Sequence, residues 1–208
     1  MNIDTTAQKI SYSLGLDIGA NLLRLQNVVD IDQTLVQRGI EDSFKRRDPL
    51  ISREDFMAAM QDFQQRVTEA QAKNKERQAA ATKELGAKFL EENAKKPGVI
   101  VTPSGLQYEV LLEGTGAAPT LQNAVQVHYR GTLIDGTEFD SSYERGQPVT
   151  FALSQVIPGW SEGVQLMKLG GKSRFTMPPE LAYGNNENGP IPPNSVLVFE
   201  TELINIVN

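Results

Sequence analysis

The stretch VQVHYRGTL, residues 125–133, decides how the C-terminal half of this chain folds. Its apolar side chains alternate with polar ones at Val125, Val127 and Tyr129. A period of two places successive side chains on opposite faces of a strand, so it is typical of a sheet with one buried face. The stretch therefore predicts a β-strand, and it holds the only histidine of the chain, His128.

The sequence on both sides of this strand has the same period. Apolar side chains alternate over residues 106–112 and again, near the end of the chain, over residues 197–203. Glycines and prolines separate these runs, and only GWSEGVQLM, residues 159–167, has the pattern of a short helix. We therefore predict an α+β domain over residues 98–208, with a sheet and one short helix around its own core.

The first part of the chain has a helical period instead. A first helix carries small side chains on one face, at Ser11, Gly15 and Gly19, and this row predicts that another backbone packs closely there. The alternative is that these residues are loosely packed capping residues. A second helix is predicted from Asp32 to Phe44. The apolar stripe of the first helix consists of Ile3, Ala7, Ile10, Leu14, Ile18, Leu22 and Leu25.

A long third helix is predicted over residues 52–93. It begins with SRED, a serine followed three residues later by an acid, which is typical of a capped helix start. After Val67 the segment contains strong helix formers with few apolar anchors, so we expect a solvated spacer. A flexible, disordered linker is the alternative. The predicted organisation is a helical module over residues 1–50, a connecting helix over residues 51–97, and the sheet domain.

Composition excludes several kinds of function. Without cysteine, the chain has no disulfide, thiolate zinc site or cysteine nucleophile. His128 is the single histidine and no G-x-S-x-G motif occurs, so neither a serine triad nor a histidine metal site is supported. We expect His128 to be structural, and we expect no metal and no cofactor. The net charge of −6 argues against nucleic acid, and no stretch approaches the ~20 apolar residues of a membrane span.

Two glycine motifs resemble phosphate-binding loops. GTG, residues 114–116, is followed by Pro119 rather than by a helix. GGKS, residues 170–173, lacks the required earlier glycine, because Leu166 stands there, and the following RFTM has the pattern of a strand. Both motifs are predicted to be turns.

Aromatic and aliphatic side chains occur in segments that a sheet could bring together. Taken singly, each is more typical of a core than of a site. As a set they are more specific, because the only tryptophan directly follows VIPG and because AYG, residues 182–184, opens a polar loop that ends in PIPP. Asp140 is a candidate acid without an obvious acidic partner. The set comprises Tyr129, Phe139, Val156, Ile157, Trp160, Tyr183, Ile191 and Phe199.

These blocks resemble a known family. VHYRGTLIDGTEFDSS, VIPGW, ELAYG and IPPNSVLVFETELI are similar, in this order, to the signature blocks of the FKBP-type peptidyl-prolyl cis-trans isomerases. KISYSLGLDIGANL and the long polar helix resemble the bacterial macrophage infectivity potentiator (Mip) and FkpA-like subgroup. The resemblance implies an antiparallel sheet wrapped around one short helix, together with an N-terminal helical module that forms a homodimer.

The resemblance also implies a proline-binding pocket. Trp160 would form its floor, while the Tyr183 hydroxyl and the Ile157 backbone N–H would donate to a carbonyl of the substrate or of a macrolide. The side chains implied to be catalytic are Phe139, Asp140 and Tyr183. Those implied to bind substrate are Tyr129, Arg145, Val156, Ile157, Trp160, Ile191 and Phe199, with Tyr129 and Arg145 also holding Asp140.

The implied activity is isomerisation of X–Pro bonds in proline-containing polypeptides, with macrolides as inhibitors. One alternative is a holdase-type chaperone whose isomerase domains mainly bind clients, and another is an enzyme that uses Asp140 as an acid or base. The N-terminus, MNIDTTAQKI, lacks the basic and apolar regions of a signal peptide. The resemblance implies the periplasm or the cell surface if a leader has been removed, and the cytoplasm otherwise.

Overall fold

Helices form where the sequence has its three-to-four period. In the computed structural model, which describes residues 2–207, they are α1 (Thr6–Leu25), α2 (Gln33–Phe44) and α3 (Arg53–Asn93). Each begins after a polar side chain that accepts a hydrogen bond from an otherwise unpaired N–H of the first turn. These capping residues are Thr5, Asp32 and Ser52. The apolar stripe predicted a start near Ile3, but the cap at Thr5 delays α1 by one turn.

The prediction of a long third helix is confirmed. α3 runs without interruption for 41 residues, including the segment for which a disordered linker was the alternative. The chain divides into two compact units inside this helix, between Lys75 and Glu76. The last turns of α3 therefore belong to the second unit. No helix among the described residues is both long and apolar enough to cross a membrane.

The sheet of the second unit is antiparallel, as the family resemblance implied. The sheet has the order β1-β2-β6-β7-β3-β4, and β5 pairs with β3 as well. One short helix, α4 (Pro158–Gln165), shares a core with this sheet. The strands are β1 (Val99–Val101), β2 (Gln107–Leu112), β3 (Ala124–Leu133), β4 (Glu138–Ser141), β5 (Val149–Ala152), β6 (Lys172–Met177) and β7 (Leu197–Val207).

The period of two predicted where the strands lie, but it did not predict which of their residues are buried. Leu197 and Leu203 of β7 are fully buried on the predicted face. In β2, by contrast, Val110 and Leu112 are exposed, although they continue the alternation. The register with β6 shifts between these two residues, so a bulge interrupts the ladder there, and neither side chain belongs to the core.

His128 and the two glycine motifs have structural roles in the fold, as expected. His128 lies in β3 with its Nδ1 2.9 Å from the Ser142 hydroxyl, and its ring stacks on Tyr143 at 4.6 Å. Ser142 is fully buried, so the pair does not present a nucleophile to a substrate. No helix follows either glycine motif in the described chain: residues 114–116 lie in the loop after β2, and Gly170 occupies the turn before β6.

Candidate active site

An apolar pocket of about 340 Å³ opens between the sheet and α4. Its lining comes from strands β3, β5 and β7, from the first turn of α4 and the segment leading into it, and from the loop after β6. The structure thus brings together side chains that are up to 70 positions apart in the chain. Among the described residues, those lining it are Tyr129, Phe151, Gln155, Val156, Ile157, Trp160, Tyr183 and Phe199. Six of these belong to the set predicted from the sequence.

Trp160 is held rigidly in this lining. It lies in the first turn of α4, which begins with Pro158, and its side chain is almost completely buried. The rings of Tyr129, Phe151 and Phe199 meet the indole nearly edge-on, at centroid distances of 5.3, 5.5 and 5.6 Å. Edge-to-face pairs match the positive edge of one ring to the negative face of another. The indole therefore offers the pocket a fixed apolar surface.

Phe139 and Ile191 are absent from the lining that the described residues form. The Phe139 ring packs edge-to-face on Phe199 at 5.5 Å. Both rings cover Gly131 of β3, where a Cβ atom would come within 2.7 Å of Phe139 and 2.8 Å of Phe199. Glycine at this position therefore lets the two rings rest directly on the strand. Ile191 is buried in the core.

Asp140 and Arg145 reach the pocket through the hydroxyl of Tyr129. This hydroxyl donates a hydrogen bond to Asp140 and accepts one from Arg145 at 2.7 Å, while Arg145 also donates directly to Asp140. Burial, helped by the bond to Asp140, raises the pKa of Tyr129 to about 12. Burial opposes ionisation of Asp140 too, but hydrogen bonds from Tyr129 and Arg145 outweigh it and hold the pKa of Asp140 below its usual value.

This arrangement suits the binding of an uncharged group better than proton transfer. Asp140 is ionised near neutral pH, and its two carboxylate oxygens are already bonded to Tyr129 and Arg145. The hydroxyl of Tyr183, in contrast, has no hydrogen-bond partner within the part of the chain that the structure describes, so it is available to a ligand. The described residues contain no group of three acidic or histidine side chains that could hold a metal ion.

Sequence reasoning missed two residues of the lining, Phe151 and Gln155. Phe151 lies in β5 and alternates with Val149, so the period of two could have placed it on the inner face. Gln155 ends the 3₁₀ turn between β5 and α4, where no periodic signal exists. Its place in the pocket follows only from how that turn packs against the sheet.

Comparisons with known proteins agree over both parts of the chain. A model of the FKBP-type peptidyl-prolyl cis-trans isomerase matches residues 116–204, and a model of the domain amino terminal to such isomerases matches residues 7–110. The FKBP-type 22 kDa peptidyl-prolyl cis-trans isomerase of Escherichia coli (strain K12) is 43% identical over 205 residues, covering 98% of this chain and 97% of the relative.

Two further relatives extend the comparison. The outer membrane protein MIP of Legionella longbeachae is 39% identical over 206 residues, covering 99% of this chain and 88% of the relative. The crystal structure of FkpA from Escherichia coli superposes with a TM-score of 0.82 at 38% identity and covers 99% of each chain.

Proposed function

This chain belongs to the FKBP-type peptidyl-prolyl cis-trans isomerases, and from that premise we propose that it twists X–Pro bonds in the pocket lined by Trp160. The family acts on proline-containing substrates, and the chain is an isomerase of this type. The observation that carries the proposed site is the lining itself. Three aromatic rings surround a fourth, and none of the lining side chains is charged.

The chemistry requires no nucleophile. An X–Pro bond turns slowly because twisting it breaks amide resonance, with a barrier of ~18–20 kcal/mol. The twisted imide has less charge separation than the planar one, so a dry aromatic pocket stabilises it relative to the ground state. Catalysis then consists of binding the transition state more tightly than the substrate. The proline ring would lie on Trp160, inside the edge-on rings that hold the indole.

Polar groups at the rim would orient the flanking carbonyls. We propose that the Tyr183 hydroxyl donates to one carbonyl and the Ile157 backbone N–H to a second, since both residues belong to the lining. Asp140 acts as a fixed negative charge beside the imide, because Tyr129 and Arg145 hold it in place. We propose Phe139 as the support of Phe199, and Val156 and Ile191 as the aliphatic surroundings of the proline ring.

A protease-coupled assay on a short X–Pro peptide tests this site. We expect isomerisation to accelerate in proportion to enzyme concentration, and a macrolide to inhibit it by occupying the same pocket. Trp160 fluorescence should change on macrolide binding, because the indole is part of the lining. Isomerisation that a saturating macrolide leaves unchanged would reject the macrolide proposal, and an inactive protein would reject the site.

The pH dependence separates this mechanism from acid–base catalysis. The pKa of Asp140 lies below its ordinary value and that of Tyr129 lies at about 12, so neither group changes protonation between about pH 5 and pH 9. We expect kcat/KM to be flat over this range. The stabilisation from ionised Asp140 is present above its ordinary pKa and is lost only as the pH falls through the lowered one.

Asp140→Asn provides the comparison for that profile. The amide keeps the shape and one acceptor oxygen but loses the charge that pairs with Arg145, so we expect kcat/KM to fall by about threefold to tenfold at every pH. The profile of the variant should stay flat. If the wild type instead shows a limb near neutral pH that Asp140→Asn removes, Asp140 is an acid or base and the proposed mechanism is wrong.

We further propose that the chain forms a homodimer through residues 1–50, with α3 connecting this module to the isomerase domain. No residue of α1 is buried, and Leu14, Ile18 and Leu23 expose 60%, 48% and 56% of their surface. A groove of about 640 Å³ between α1 and α2 is lined mainly by aliphatic side chains. Apolar surface of this extent is typical of an interface, and most soluble oligomers are symmetric copies of one chain.

A holdase-type chaperone is the second candidate function. Large apolar side chains remain exposed beyond α1, with Leu35 at 64%, Phe44 at 86% and Leu50 at 73%. Such side chains could hold unfolded polypeptides, and two linked copies would raise the local concentration of the second binding site. Suppression of aggregation of a large client, with and without a saturating macrolide, separates the functions. If a macrolide blocks isomerisation but the protein still suppresses aggregation of the client, the two functions use different surfaces.

For location we propose the periplasm or the cell surface if a leader is removed, and the cytoplasm otherwise. The relative from Legionella longbeachae is named an outer membrane protein, which supports the first compartment. Fractionation of cells that produce the tagged natural gene product, with periplasmic and cytoplasmic markers, tests this directly.

A further inference from the structure

Asn194 joins the loop that carries Tyr183 to the long helix. The backbone N–H of Asn194 donates to the carbonyl of Gly184 at 2.8 Å. Its side-chain amide nitrogen lies 3.3 Å from the side-chain oxygen of Asn185 and 3.3 Å from the backbone carbonyl of Ala79 in α3. One residue therefore bonds both residues that follow Tyr183 and a turn of the helix.

The last turns of α3 have a face that packs on the isomerase domain. Buried and half-buried positions recur there at spacings of three and four, which is the period of one helix face. Gly86 lies in the middle of this face, and a Cβ atom at that position would come within 2.8 Å of the Val196 side chain. The helix and the segment after Asn194 are thus in direct contact. The positions are Ala79, Thr82, Gly86, Leu90 and Asn93.

Hydrogen bonds anchor the end of the same face on the sheet. The Asn93 amide donates to the side-chain oxygen of Gln107 in β2 at 2.9 Å, and the Gln107 amide donates to the Leu90 carbonyl at 2.9 Å. Asn93 and Gln107 are both buried. Because buried amides without partners are costly, this pair fixes where α3 ends relative to the sheet.

The backbone conformation of Asn194 allows the contribution of its side chain to be tested separately. Its φ is +59°, in the left-handed region that asparagine tolerates better than most residues. Glycine would adopt this conformation with less strain. Glycine, however, has no side-chain donor and could not make the bond that the Asn194 amide makes to Ala79.

We propose that Asn194 is a positioning residue for isomerisation, which fixes Tyr183 at the pocket by bonding its loop to residues 79–93 of α3. The proposal rests on the role of Tyr183 proposed above. It assigns the last turns of α3 to the isomerase unit, together with residues 98–208. Helix α3 is then a part of the enzyme as well as a connection to the N-terminal module.

Asn194→Gly in the full-length protein isolates the side chain. Glycine keeps the positive φ and the backbone N–H bond to Gly184 and removes only the amide bonds to Ala79 and Asn185. We expect kcat/KM on a short X–Pro peptide to fall by about threefold to tenfold, the effect of one or two hydrogen bonds. Hydrogen exchange of residues 182–191 should become faster, while exchange of β3 and β7 should stay as in the wild type.

Gly86→Ala tests the same contact from the helix side. The new methyl group meets Val196, so we expect the same direction of change in kcat/KM and in loop exchange. Adding Val196→Ala removes the methyl groups that it meets and should restore part of the activity. Ser195→Ala is the matched control, because it removes a hydrogen bond to Pro192 within the same turn and none to α3.

Two results would overturn the positioning role. The first is that Asn194→Gly and Gly86→Ala both keep the kcat/KM of an active wild type, even if hydrogen exchange of the loop becomes faster. The second is faster exchange across the whole sheet, which would show a general loss of stability. A wild type without isomerase activity would reject the proposed function itself. That failure is distinguishable, because loop exchange still reports whether Asn194 holds the loop.

Discussion

Phe139→Ala is expected to lower kcat/KM for X–Pro isomerisation by about 10- to 100-fold while the domain stays folded. The Phe139 ring supports Phe199 edge-to-face at 5.5 Å, and Phe199 both lines the pocket and contacts Trp160. Alanine would leave Phe199 free to tilt over Gly131 and would let water approach the lining. A loss of about 1.4–2.7 kcal/mol in transition-state binding corresponds to this change in rate.

The control lies four residues further along the same segment. Tyr143→Ala removes an aromatic ring of similar size, but that ring stacks on His128 and is absent from the lining among the described residues. We expect its kcat/KM to remain within about twofold of the wild type, as for surface changes away from a site. Far-UV circular dichroism and thermal unfolding of both variants show whether the fold persists. Turnover of Phe139→Ala equal to that of the control would place the site elsewhere.

The second large effect concerns the proposed homodimer, which Gly15→Leu is expected to convert into monomers. A Cβ atom at Gly15 would meet nothing within 4 Å in its own chain, so the glycine is not required by the packing of the monomer. The small row Ser11, Gly15 and Gly19 would instead let the backbone of the second copy approach. A leucine there would keep the helices apart. Light scattering measures the mass directly, and isomerisation of a short peptide should persist.

Ser13→Leu is the matched control for this change. It introduces the same side chain on the polar side of α1, away from the small row, and should leave the dimer intact. If the protein also acts as the proposed chaperone, Gly15→Leu should weaken protection of a large unfolded client, because a monomer lacks the second binding site. A monomeric wild type at micromolar concentration, or a dimeric Gly15→Leu, would show that the interface does not use this row.

The sequence determined most of the local structure. Ser52 caps α3 as predicted, and Asp32, where the sequence predicted the start of the second helix, caps α2. A cap involves only groups within one turn, so it depends on local sequence. The alternation at Val125, Val127 and Tyr129 placed β3, because strand period depends on neighbours two positions away. The signature blocks determined the family, which the family models and relatives at about 40% identity confirm.

Tertiary structure decided which of these residues meet. Phe151 and Gln155 enter the lining only because β5 pairs with β3 and the following turn packs beside α4, and no local pattern encodes that pairing. Val110 and Leu112, on the two sides of the bulge in β2, are exposed against their alternation. In the sequence alone, Gly86 is an unfavourable residue within a helix. In the fold it lies against the side chain of Val196, 110 residues away. Period and capping arise from contacts within a few residues, whereas a pocket arises from contacts between segments that only the fold brings together.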